Sequence, residues 1–163
     1  MTQANGGAAV WITRSAEETQ GLAETLGRLA SPGDVVLLRG PLGAGKTCFV
    51  QGLGRGLGAR TVIKSPTFVL VSRHEGRVPL VHVDLYRIEG SQSLDELGLE
   101  ESREDALLAV EWGEKIEDRV EDGLSIDLLP IDEGRRVTAR ALGPRGRERL
   151  ASWSGHVANG AHR

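Results

Sequence analysis

The chain has 163 residues, of which 39% are hydrophobic and 26% charged, and it carries a formal charge of −3. That length suits one domain with a real core and little room for a second. The slightly acidic balance argues against a protein that grips nucleic acid over a broad basic face, though not against one that joins an assembly handling nucleic acid. No apolar run approaches the roughly 20 residues of a membrane helix, and MTQANGGAAV at the start has no basic region followed by a long apolar stretch. Cys48 is the single cysteine, so no intrachain disulfide is expected, and a cytoplasmic location is.

In chain order, one domain over residues 10–153 is expected between flexible tails at 1–9 and 154–163. Thr13 or Ser15 caps a helix through EETQGLAETLGRLA, which Ser31-Pro32-Gly33 ends. Asp34 to Arg39 (DVVLLR) reads as a buried strand, and Lys46 to Leu57 as a helix. FVLVSRH and VPLVHVDLY, separated by Glu75-Gly76-Arg77, predict an antiparallel hairpin. Ser91 to Glu104 suggests short helical turns capped by Ser91 or Ser93. ALLAVEW adds an apolar strand, and LSIDLLP with RRVTARAL a second hairpin around Asp132-Glu133-Gly134. Arg145 to Trp153 forms a terminal helix. With GPLGAGKT at residues 40–47 fitting G-x-x-x-x-G-K-[ST] between the first buried strand and its helix, the fold class is α/β: a P-loop nucleoside-triphosphatase domain with a mixed central sheet flanked by helices, and antiparallel hairpins.

Between the first buried strand and its helix lies Gly40-Pro41-Leu42-Gly43-Ala44-Gly45-Lys46-Thr47, of the form G-x-x-x-x-G-K-[ST]. The glycines let backbone N–H groups turn inward as an anion-binding nest, and the helix N-terminus adds partial positive charge. Lys46 reaches the outer phosphates and the Thr47 hydroxyl ligates Mg²⁺. Cys48, just after it, packs or lines the phosphate pocket, and its place in the first helical turn favours a lowered thiol pKa. Two apolar strands end in acids, VPLVHVD at Asp84 and ALLAVE at Glu111. Acids at carboxyl ends of core strands face the crevice where such sheets bind ligands. Either can hold Mg²⁺ with Thr47, directly or through water, while the other orients the attacking water.

His82, Asp84 and Tyr86 alternate on one strand face beside Arg87, which suggests a site rather than three isolated structural groups. Ser65-Pro66-Thr67 sits where a switch loop sensing the γ-phosphate is often found, though it is also a common turn. The late arginines (Arg135, Arg136, Arg140, Arg145, Arg147, Arg149) read mainly as a solvated face, with one of them a candidate to reach the nucleotide. Scattered histidines and a lone cysteine make a zinc site an unattractive reading.

Taken together, GPLGAGKT, then SPTF at Ser65 to Phe68, HVDLYR at His82 to Arg87 and VEWGE at Val110 to Glu114 resemble the bacterial TsaE (YjeE) family of tRNA threonylcarbamoyladenosine biosynthesis. The resemblance runs from about Thr13 to Leu142, and the four motifs in this order are far more specific than any one alone. It implies an ATP-hydrolysing, Mg²⁺-dependent accessory subunit that resets its assembly between rounds. The implied partners are the threonylcarbamoyl transferase and its non-catalytic homologue, the TsaD and TsaB type proteins, with tRNA met only through the complex. Carried over, Leu42, Gly43, Ala44, Gly45, Lys46 and Thr47 bind the phosphates, Thr47 and Glu111 ligate Mg²⁺, and Asp84 supports metal or water. Thr67 belongs to the switch, Trp112 stands beside the site and Arg135 touches the nucleotide. The chain departs from the family pattern at Pro41, Cys48 and Gly113, the last standing where proline is common and expected to loosen the turn.

The runner-up is a small-molecule or nucleotide kinase, which shares the loop and the size but needs an acceptor pocket and usually a long arginine-rich lid, which is not evident here. A nucleotide-gated switch with slow hydrolysis is a third reading. A GTPase lacks support without an Asn-Lys-x-Asp motif, and an ABC-type protein without a Leu-Ser-Gly-Gly-Gln-like signature.

Overall fold

The computed structural model describes residues 3–5, 7–64, 70–89 and 97–160. Eight strands form one sheet: β1 (Gln3–Asn5), β2 (Ala8–Thr13), β3 (Val35–Arg39), β4 (Val71–His74), β5 (Leu80–Asp84), β6 (Leu107–Glu111), β7 (Leu124–Ile131) and β8 (Gly134–Ala141). Their order across the sheet is β1-β2-β8-β7-β3-β6-β5-β4. The middle, β7-β3-β6-β5, is parallel, and antiparallel pairs extend it at both sides. The helices are α1 (Ala16–Leu29), α2 (Lys46–Leu57), the short α3 (Leu99–Ser102) and α4 (Pro144–Gly160). This is the mixed α/β architecture expected of the sequence. Among the described residues no helix is long and apolar enough to cross a membrane.

The central strands are buried on both faces, which explains their unbroken apolar runs. In β3, Val36 and Leu38 face a core shared with α1, α2 and α4, while Val35 and Leu37 face the opposite core with Val81, Val83, Leu108, Val110 and Ile116. On the helical side Trp153 of α4 is fully buried against Trp11, with ring centroids 4.3 Å apart, and meets Phe49 edge-on. Its indole N–H donates to the Leu22 carbonyl, giving the buried ring a polar partner.

Ser15 is the cap of α1: its hydroxyl accepts from Glu18 N, and the Glu18 carboxylate accepts in turn from Arg14 N. Residues 3–5 differ from the expected tail. Gln3–Asn5 pair with β2, which is itself paired with β8. Such a short edge strand carries no periodic signal of its own. The terminal helix also continues beyond Trp153 to Gly160, with Val157 packed on the core. The expected caps Ser91 and Ser93 fall outside the described residues.

α1 and α2 cross at backbone contact. A Cβ on Gly52 would stand 2.3 Å from the Gln20 carbonyl oxygen, and one on Gly56 2.2 Å from that of Glu24. The small residues therefore set the height of α2, and with it the position of its first turn. Elsewhere Arg135, Arg140, Arg145 and Arg149 act as ties, while Arg136 and Arg147 are exposed as a solvated face would be. Arg145 and Arg149 both pair with buried Asp34, anchoring α4 beneath the sheet. Arg140 and Arg39 pair with Glu117, which also accepts from the Ser125 hydroxyl. Burial pushes the Glu117 carboxyl up, but the Ser125 hydrogen bond and the two guanidiniums outweigh it and hold the group below its ordinary value.

Two measurements test these packings. Gly52→Ala should lower stability in urea by about 1–3 kcal/mol. Gly155→Ala, on an open part of α4, should be neutral or stabilise by up to about 1 kcal/mol. Because the folded Glu117 carboxyl is held low, its contribution is full above the unfolded value near 4.5 and is lost as pH falls through the folded one. Urea titrations of Glu117→Gln should therefore show their largest deficit near neutral pH and a deficit that closes on acidification.

Candidate nucleotide site

The loop between β3 and α2 lies at the carboxyl ends of the parallel strands. Gly43 and Gly45 hold φ of +80° and +104°, a backbone region that side chains disfavour, so the loop can curl its N–H groups together. Gly40 is needed for a different reason: a Cβ there would stand 2.4 Å from the Leu128 carbonyl oxygen of β7. Arg39, the residue before it, is held by Glu117 and lies 3.2 Å from Asp127. The loop is thus anchored where it leaves the sheet.

Parallel register sets the acids beside it. Asp84 of β5 pairs with Glu111 of β6, which pairs with Leu38 of β3. Glu111, Asp84 and His82 belong to the strand face that looks toward α2, as Leu80 and Ala109 do. The Thr47 hydroxyl, in the first turn of α2, donates to Glu111 at 2.9 and 3.1 Å from its two oxygens. Glu111 is 4% exposed, whereas Asp84 is half-buried and accepts from Tyr86 N.

These groups border a cavity of about 350 Å³ lined by Leu42 to Cys48, Leu70, Asp84, Tyr86, Arg87, Glu111 and Trp112. The Lys46 ammonium donates to the Gly40 and Pro41 carbonyls and lies 3.9 Å from the centre of the Trp112 ring. Burial lowers its pKa, and the charges of Glu111, Glu114 and Asp84 oppose that shift. Trp112 stacks on Tyr86 with centroids 5.0 Å apart and adopts φ 62°, the one positive φ outside glycine among the described residues. Gly113, after it, does not loosen this turn. A Cβ there would be 2.6 Å from the Leu37 Cβ, so glycine lets the turn close onto β3.

Thr47, Lys46, Asp84 and Glu111 therefore converge as the sequence leads one to expect. Tyr86 joins them from the turn after β5 rather than from the strand face. Arg135 does not line the cavity. It reaches the loop from the other side, its Nε donating to the Ala44 carbonyl and its side chain packing on Gly45. Cys48 donates to the Ala16 carbonyl, and its thiol pKa is raised rather than lowered, because burial outweighs the nearby Arg135. Thr67 lies outside the described residues. Sequence reasoning did not anticipate that His82 is fully buried with Nε2 2.5 Å from Glu111 Oε2.

The donor set suits a hard cation beside phosphate. Thr47 and Glu111 supply oxygens only, and among the described residues no three of His, Cys, Asp or Glu gather into a cluster able to hold a metal by themselves. Mg²⁺ is ordinarily bound through one or two protein oxygens, with phosphate and water completing its octahedron.

Comparison with known proteins agrees with this arrangement. The sequence model of the family described as "Threonylcarbamoyl adenosine biosynthesis protein TsaE" matches residues 13–138. The tRNA threonylcarbamoyladenosine biosynthesis protein TsaE of Streptomyces coelicolor is 43% identical over 134 residues, covering 76% of this chain and 90% of that protein. Its counterpart in Treponema pallidum is 39% identical over 77% of this chain and 94% of its own. The crystal structure of Bacillus subtilis YdiB superposes with a TM-score of 0.75 at 33% identity, over 96% of this chain and 97% of that one. With the loop, the paired strand-end acids and the matched length all in agreement, the chain belongs to the TsaE family.

Proposed function

We propose that the chain is an ATP-hydrolysing, Mg²⁺-dependent accessory subunit in the biosynthesis of tRNA threonylcarbamoyladenosine. The observation that carries the reading is the hydrogen bond from Thr47, at the start of the loop helix, to Glu111, at the end of β6. With its proton committed to Glu111, the Thr47 oxygen keeps lone pairs that would be available to a phosphate-associated cation beside the glycine loop. The relatives' names supply the pathway, and the family's partners, the TsaD and TsaB type proteins, are the assembly in which we infer that it acts, in the cytoplasm.

In this reading the N–H groups of Leu42 to Thr47 cradle the phosphates, and Cys48 closes the first turn behind them. Lys46 exchanges the Gly40 and Pro41 carbonyls for phosphate oxygens and neutralises charge that develops as water attacks the γ-phosphorus in line. Asp84, open to the cavity, accepts a hydrogen bond from the attacking water and orients it, while the more buried Glu111 serves Thr47. Bound Mg²⁺ would be held by Thr47 and, directly or through water, by Glu111, and would withdraw charge from the phosphate oxygens. Arg135 braces the loop at Ala44 from outside the cavity.

Phosphate release from ATP, measured with and without the TsaD and TsaB type partners and tRNA, tests the proposal. Turnover should rise with the partners. Lys46→Ala should abolish binding or turnover, and Glu111→Ala should lower turnover by about 10²-fold or more while nucleotide still binds. Full turnover in Glu111→Ala would remove its assigned role. Transfer of phosphate to an acceptor in place of free phosphate would favour a kinase.

A further inference from the structure

We infer that His82 is a positioning residue for this site, acting through Glu111 and not on the nucleotide. The inference rests on the function proposed above and adds a residue to it. His82 is on β5, one strand away from Glu111, in a run that is otherwise apolar at Leu80, Val81 and Val83. Its side chain is fully buried, and Nε2 lies 2.5 Å from Glu111 Oε2. The contact requires a proton between the two atoms, and an ionised carboxylate can only accept, so His82 donates through Nε2–H. Among the described residues Nδ1 is buried without a partner.

That half-satisfaction argues for function over packing. A ring nitrogen buried without a partner destabilises the fold, and an apolar side chain of similar size would fill the same place without that cost. The histidine is therefore costly to the fold, and among the described residues its one polar contact is the carboxylate that receives the Thr47 hydroxyl. Both contacts converge on Glu111: His82 reaches Oε2 from the neighbouring strand, and the Thr47 hydroxyl, from α2, lies within hydrogen-bond distance of both oxygens. The two donors fix the carboxylate plane. With His82 removed, Glu111 keeps Thr47 alone and can rotate, carrying the threonine hydroxyl with it. Groups that orient a cation-supporting carboxylate from behind change cation affinity far more than they change phosphate cradling.

The test compares His82→Met, which keeps the bulk and removes the donor, with His82→Gln, whose amide N–H can stand in for Nε2–H. The Mg²⁺ concentration that half-saturates binding of a fluorescent ADP, read by titration, should rise about tenfold in His82→Met. In His82→Gln it should return to within about threefold of the parent chain. Thermal melts accompany each titration. A chain that melts early with an unmoved Mg²⁺ midpoint would assign His82 to packing alone and overturn the inference. So would Gln and Met variants that behave alike. If the parent chain itself binds ADP with no dependence on Mg²⁺, the proposed function fails first and the inference falls with it.

Discussion

The structure turns on one constraint: the first turn of α2 must meet the last residue of β6. The Thr47 to Glu111 hydrogen bond marks that meeting, and much else in the fold serves to bring it about. The glycine loop gives α2 its start, and the backbone contact of α1 with Gly52 and Gly56 sets how closely that helix lies. Parallel register aligns Asp84, Glu111 and Leu38 across three strands. Arg39, held by Glu117, fixes the point at which the chain leaves the sheet for the loop. A shift of about 1 Å in any of these would separate groups that act only in contact.

Charge within the cavity is arranged in opposition. Lys46 faces Glu111, Glu114 and Asp84, whose fields resist the drop in its pKa that burial alone produces. Its ammonium meanwhile rests on two loop carbonyls and over the Trp112 ring. These contacts are modest individually and are exchangeable for the stronger, charge-assisted bonds that phosphate oxygens offer. The Trp112 ring is presented by a left-handed backbone that Gly113, pressed against β3, allows to close. The strain sits beside the cavity, as strain at binding sites commonly does.

What could be read in the sequence was local. Strand, glycine loop and helix follow one another within residues 35–57, so spacing alone located Lys46 and Thr47. Apolar runs ending in acids located Asp84 and Glu111, because central strands in such sheets bury both faces. What escaped was long-range. Nothing local distinguishes His82 as a partner of Glu111, since that contact depends on which strands become neighbours. Arg145 and Arg149 read as surface charges because their partner, Asp34, lies more than a hundred residues earlier. β1 forms because β2 is paired with β8, not from its own propensity. The Cys48 thiol follows its burial against α1 rather than its place in a helical turn.

The most direct test is a crystal structure determined with Mg²⁺ and a non-hydrolysable ATP analogue. The account predicts Mg²⁺ at about 2.0–2.1 Å from the Thr47 hydroxyl, with that hydroxyl still donating to Glu111. It also predicts that the Lys46 ammonium has left the Gly40 and Pro41 carbonyls for the β- and γ-phosphates. A nucleotide seated away from the glycine loop, or a cation with neither Thr47 nor Glu111 in its coordination shells, would contradict it.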